Sequence, residues 1–294
     1  MRHSWHSVTA EPHPCREGRE GREGREGREG REGREGREGQ EAPTADWTRP
    51  LMFLVEHVPA TGEVLLDGAE GRHAAGVRRV RPGEVVLVGD GAGVRARATV
   101  TAVAAAAVTL TILARRVDEP PALRVTLVQA LVKGDRGELA VELATEAGVD
   151  ALVPWRAERS IARWDEGARA EKALARWRTS AREAAKQARR AAVPAVDDPL
   201  STPELLRRVA DAASALVLEG TAATSLADAD LPARGELVLV AGPEGGITDA
   251  EHAALADAGA LAVAMGPAVV RTSTAAAVAL GALGARTDRW RSPR

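Results

Sequence analysis

The sequence predicts an α/β protein, with a parallel-sheet domain over residues 121–290 preceded by a small β-rich module over residues 51–118. Three observations carry this reading. Beyond Pro121, strand-like runs alternate with helix-like runs, and the resulting βαβ order implies parallel pairing. Before Asp118, apolar residues alternate with period two in short runs separated by turn residues. Between the two lies Asp118-Glu119-Pro120-Pro121, whose prolines suit a linker. A chain of 294 residues, 45% of them hydrophobic, is long enough for two modest cores.

Residues 1–50 stand apart. From Arg16 to Gly39 the triplet Arg-Glu-Gly occurs eight times. A segment without apolar residues cannot offset its ordering entropy, so it is expected to be disordered and to lie outside the fold. Met52 is an alternative initiator, and no stretch before Pro50 has the apolar run of a signal peptide.

In the β-rich module, strands are expected over Met52 to Val58, Glu63 to Asp67 and Glu84 to Val88. The Gly89–Gly93 string GDGAG is flanked by strands on both sides, which favours a hairpin turn over a dinucleotide loop. Ala98 to Ala114 carries no charge, but its period-two alternation reads as two strands joined near the alanine run, not as a membrane span. Between Glu70 and Glu84 a short helix, stopped by Pro82-Gly83, gathers His73, Arg78, Arg79 and Arg81. That basic face is either solvated or an RNA contact.

The second domain reads as a strand over Leu123 to Val132, a helix over Asp135 to Ala147 ended by Gly148, and a strand over Ala151 to Trp155. A long helix from about Gly167 to Ala191 follows, then strands over Ala215 to Leu218 and Glu236 to Val240. Thr248 with Glu251 forms a capping-box signature for a helix over Asp249 to Gly259. A strand over Leu261 to Met265 and a helix from Thr272 to about Gly284 complete the pattern.

Composition removes several function classes. The net charge of −2 argues against coating nucleic acid by bulk charge, although a local basic face is compatible with it. The single Cys15 allows neither an internal disulfide nor a multi-cysteine zinc site, and no metal is expected. The patterns HExxH, GxSxG and GxxxxGK[ST] are all absent.

Chemistry is expected where loops leave the carboxyl ends of parallel strands. Two such loops carry glycine and proline: GPEGG at Gly242 to Gly246, and MGPAVVRTSTA at Met265 to Ala275. Glycine lets backbone approach a ligand closely and proline fixes the turn. From Arg169 to Arg190 there are eight Lys or Arg and two Glu, with Arg182, Lys186 and Arg190 recurring every four residues on one helix face. Such a stripe either tracks phosphates or is merely solvated. Trp155, Trp164 and Trp177 are read as packing residues in preference to base-stacking ones.

Lys133-Gly134-Asp135, Glu146-Ala147-Gly148, Gln187 to Pro194, GPEGG and MGPAVVRTSTA follow one another as in the RsmE family, which the chain resembles from Met52 onward. These are 16S ribosomal RNA uracil-N3 methyltransferases of the SPOUT superfamily. The β-rich module is similar to the family's PUA-like RNA-binding barrel, with His73, Arg79 and Gly83 at matching positions. The resemblance implies a trefoil-knotted catalytic domain, a homodimer, a cytoplasmic setting and 16S ribosomal RNA or the small ribosomal subunit as partner.

It further implies S-adenosylmethionine as cofactor, held by Leu218, Gly242, Pro243, Glu244, Gly245, Gly246, Met265, Gly266, Pro267, Val270, Arg271 and Thr272. His73, Arg79, Lys133, Arg182, Lys186 and Arg190 are the expected RNA contacts. Arg271 and Arg190 are the expected catalytic cations, stabilising charge on the uracil carbonyls as the N3 proton leaves. Glu244 or solvent takes that proton, since His3, His6 and His13 lie in the tail and His57 and His73 in the first domain. The chain departs from the family's usual pattern at Ser273 and Ala268. Two other readings share these features: a SPOUT enzyme with another base or ribose as target, and a noncatalytic RNA-binding assembly factor.

Overall fold

Alternating apolar residues build the first sheet. In the computed structural model, residues 46–164 and 167–291 are described, and the Arg-Glu-Gly repeat lies outside them. Strands β1 (Met52–Leu54), β2 (Glu63–Leu66), β3 (Val85–Gly89), β4 (Val94–Val103) and β5 (Val108–Val117) pair in the order β1-β3-β4-β5-β2. Phe53, Leu66, Val86, Val88, Ala96, Ala98 and Leu110 bury their side chains in one cluster. The stretch from Ala98 to Ala114 forms β4 and β5, and no described helix is long and apolar enough to cross a membrane.

GDGAG is a hairpin turn: the Asp90 carboxylate accepts the amides of Ala92 at 2.7 Å and Val94 at 3.0 Å, an Asx-type closure. That turn also explains why β1 is shorter than the expected Met52 to Val58. Leu54 pairs with Gly89, and beyond Gly89 the partner strand turns away. The helix after β2 likewise stops early. It runs as α1 (Gly68–Arg72) into a π turn over His73–Arg78 and ends where Arg79 turns left-handed at φ 54°, before Pro82-Gly83 is reached.

The second sheet is wholly parallel, in the order β11-β9-β10-β6-β7-β8. Its strands are β6 (Leu123–Ala130), β7 (Ala151–Trp155), β8 (Ala195–Val196), β9 (Ser214–Leu218), β10 (Gly235–Ala241) and β11 (Leu261–Val263). Period-two alternation divides its apolar residues between two faces. Leu127, Leu152, Leu216, Leu237 and Leu239 meet α2 (Arg136–Glu146), α3 (Ala168–Gln187) and α6 (Thr272–Arg286). Val128, Val153, Val238 and Val240 meet α4 (Thr202–Asp211) and α5 (Asp249–Asp257) through Leu205, Val209 and Leu255. Trp177 is fully buried beside Trp164, edge to face with ring centroids 5.2 Å apart, and Trp155 is fully buried on the other face.

Helix α4, between β8 and β9, is not among the expected elements, although a local capping signal marks its start. Ser201 and Glu204 form a capping box, with the Glu204 carboxylate accepting the Ser201 amide at 2.7 Å. The capping box at Thr248 and Glu251 also forms, and Glu251 is buried because it serves three elements. It caps α5, accepts the Glu158 amide at 2.9 Å, and accepts the Thr202 hydroxyl at 3.1 Å.

Candidate active site

The chain's course through the second sheet fixes where a ligand can bind. From β6 the chain adds β7 and β8 on one side, while β10, β9 and β11 lie on the other, so the direction reverses between β6 and β10. Loops diverge at such a point and leave a crevice beyond the strand ends.

A cavity of about 490 Å3 opens there, and it gathers residues from three strand ends. Leu218 ends β9 and Glu219 follows it, Gly242, Pro243, Glu244 and Ile247 follow β10, and Val270 and Arg271 lead into α6, which Thr272 opens. The first loop is tight because the Gly246 amide donates to the Pro243 carbonyl at 2.9 Å, with Gly246 at φ 75°. Gly242 answers a different need. A Cβ there would come 2.7 Å from Ile247 Cγ1, so backbone forms the wall. In the second loop the Arg271 carbonyl accepts the amides of Thr274 and Ala275, both at 2.9 Å, which starts α6 at Thr272.

Four residues expected at the cofactor stand off the cavity wall. Gly245 faces Arg159, whose guanidinium donates to its carbonyl at 3.4 Å. Met265 packs against the core, Gly266 makes the turn at φ 112°, and Pro267 is exposed. Conversely, the cavity includes Glu219 and Arg136, neither of which is expected from sequence. Nor is His252, on α5, whose Nε2 lies 3.1 Å from Glu219 Oε2. Burial raises the Glu219 carboxyl, but bonds from Thr221 and His252 outweigh it and hold the group below its ordinary value.

The basic stripe of α3 is corrected by the structure. Arg190 does not face solvent or the cavity: it donates to the carbonyls of Thr145 and Val149, both at 2.6 Å, at the end of α2. Val149 leads into β7, so Arg190 sits at the amino end of the sheet, opposite the two glycine-proline loops. Burial presses its guanidinium down to about 10, still protonated at neutral pH. Lys186 is also turned inward, 9% exposed, with its ammonium 2.8 Å from Glu70 and 3.2 Å from Glu183. Both side chains are committed to internal carbonyls or carboxylates, so neither can track phosphate as expected. Arg182, by contrast, remains half-exposed.

Of the other expected RNA contacts, Arg79 and Lys133 are exposed, and His73 packs edge-on against Phe53 with ring centroids 6.2 Å apart. Lys133 is set on the loop between β6 and α2, beside the crevice.

A glycine-lined cavity at the switch point of a parallel sheet, joined to a five-stranded module, suits a nucleotide-like ligand. Residues 118–284 match the model of the RNA methyltransferase domain family, and residues 66–113 match that of the RNA methyltransferase PUA domain. Ribosomal RNA small subunit methyltransferase E of Mycobacterium bovis is 52% identical over 245 residues, 82% of this chain and 93% of that protein. The structure of the Neisseria gonorrhoeae methyltransferase E bound to S-adenosyl methionine superposes with a TM-score of 0.72 at 30% identity, covering 81% of this chain and 98% of that one. A Legionella pneumophila methyltransferase in complex with its bound cofactor SAM gives a TM-score of 0.72 at 26% identity, again covering 81% and 98%. The chain belongs to the ribosomal RNA small subunit methyltransferase E family.

Proposed function

We propose that the protein methylates N3 of a specific uridine in 16S ribosomal RNA of the small subunit, using S-adenosylmethionine. The observation that carries this is the cavity in which both glycine-proline loops and the end of β9 converge. Its residues suit a nucleoside cofactor: Leu218, Ile247 and Val270 offer apolar walls, the backbone of Gly242, Pro243, Glu244 and Gly246 a polar edge, and Glu219 a carboxylate for ribose hydroxyls. When bound, the cofactor supplies an electrophilic methyl group.

The chain's part is to position the base and handle its proton. Arg271, on the cavity wall, stabilises negative charge developing on a uracil carbonyl. Glu244, on the same wall, accepts the N3 proton. The 52–117 module, with Arg79 exposed, and Arg182 and Lys133 in the second domain, hold the RNA through phosphates. Consistent with its family, the catalytic domain is a trefoil knot working as a homodimer in the cytoplasm, where ribosomal RNA is its partner.

Small subunits from cells lacking the gene, incubated with the pure protein and S-adenosylmethionine, test this reading. The expected product after digestion is N3-methyluridine at one position. Methylation of a ribose or another base, or cofactor binding without product, would overturn it.

A further inference from the structure

Directly beside the cofactor cavity lies a second one, of about 690 Å3, lined by Lys133, Asp135, Arg136, Leu139, Ile161 and Glu244. Two residues belong to both walls. Arg136 opens α2 beyond β6, Glu244 lies in the loop beyond β10, and their side chains approach to 3.5 Å across the switch point. This ion pair therefore borders both spaces.

We propose that the second cavity receives the acceptor uracil and that Arg136, paired with Glu244, selects it. The inference rests on the methyltransferase reading above and adds to it where the base sits and what recognises its edge. Methyl transfer needs the accepting atom about 3 Å from the methyl carbon, so the base must occupy space contiguous with the cofactor's. The second cavity is that space.

Its chemistry suits a flipped pyrimidine. Ile161 and Leu139 are 64% and 41% exposed, apolar surface that a base could cover. Uracil presents acceptor, donor and acceptor at O2, N3–H and O4. Arg136 donates to one carbonyl, and Glu244 accepts the N3 proton. Cytosine reverses two of these three positions, with an acceptor at N3 and an amino donor at C4, and meets the pair with mismatched groups. Lys133 at the rim and Arg169, Lys172 and Arg176 in the adjoining groove then meet the flanking phosphates.

The step balances without another reactant. The N3–H bond breaks and its proton passes to the Glu244 carboxylate. The nitrogen electron pair forms the N–CH3 bond while the carbon–sulfur bond breaks and its electrons remain on sulfur. Arg136 stabilises the charge delocalised onto the carbonyl oxygen during that transfer.

Arg136→Gln and Arg136→Lys test the assignment on small subunits from cells lacking the gene. R136Q is expected to lower kcat by about 10²-fold with KM for the subunit nearly unchanged, and R136K to restore activity to within about tenfold of wild type. In R136Q the rate should climb with pH, because ionisation of uracil N3 is no longer assisted. A binding readout stands beside activity: uridine 5′-monophosphate should perturb the NMR signals of the second cavity more strongly than cytidine 5′-monophosphate, and R136Q should erase the difference. Wild-type protein that makes no N3-methyluridine overturns the function itself. Wild-type protein that makes it while R136Q keeps a normal kcat, pH profile and base preference overturns the pocket alone.

Discussion

The guanidinium of Arg190 donates to the carbonyl oxygens of Thr145 and Val149 at 2.6 Å each, and so ties the end of α3 to the end of α2. Arg190→Ala would leave two carbonyls short of charge-assisted partners, at a cost of about 2–4 kcal/mol. Thermal unfolding should move down by roughly 5 °C or more, while kcat of the folded fraction stays near wild type. A kcat loss at unchanged stability would restore Arg190 to the chemistry.

Arg271 makes the opposite prediction. It lines the cavity beyond β9 and β10 and begins α6 only through its backbone. Arg271→Ala should lower kcat about 10²-fold or more, with S-adenosylmethionine affinity by calorimetry changed only a few-fold. Equal losses in both would make it a cofactor-binding residue.

The salt dependence of RNA binding separates the members of the α3 stripe. Arg182→Ala should reduce the slope of log affinity against log salt by about one contact, since its side chain is 48% exposed. Lys186→Ala should leave that slope unchanged and instead destabilise the protein, because Glu70, 16% exposed, loses its ammonium partner. A slope change from Lys186→Ala would mean that the Glu70 pair opens on RNA.

Acid should weaken the fold through Glu236. Burial raises its carboxyl, but bonds from Thr126 and Arg208 prevail and hold it below its ordinary value of 4.5. A depressed carboxyl contributes stability that is complete above the unfolded value and lost as pH falls through the folded one. Both Glu236 and Arg208 are about one-third exposed, so screening keeps the effect to about 1 kcal/mol. The stability difference between wild type and Glu236→Gln should therefore be constant above pH 4.5 and shrink as pH falls below it toward the lower folded value; a difference that does not change across that range would exclude the linkage.

These contrasts show which parts of the fold were legible in the sequence. The capping box of Thr248 and Glu251, the Asp90 hairpin and the two glycine-proline loops are decided by residues a few positions apart, so the pattern reveals them. Four-residue spacing put Arg182, Lys186 and Arg190 on one face, but α3 ends at Gln187 and Arg189 turns left-handed at φ 55°, so Arg190 leaves that face, and spacing does not say what the remaining residues meet. Glu70 lies 116 residues from Lys186 and Thr145 lies 45 from Arg190. The Arg136–Glu244 pair likewise joins loops brought together only by the sheet's reversal, and the His252–Glu219 contact joins segments that follow the neighbouring strands β10 and β9. Helix α4 is a different case. Its Ser201-x-x-Glu204 signal is local, and the sequence alone carries it.

The most direct test of the central claim is mass spectrometry of digested 16S ribosomal RNA from cells with and without the gene. The wild-type RNA should contain one N3-methyluridine that the deletion lacks and that the wild-type gene restores, but the Arg271→Ala gene does not. An unchanged N3-methyluridine in the deletion strain would contradict the assigned activity.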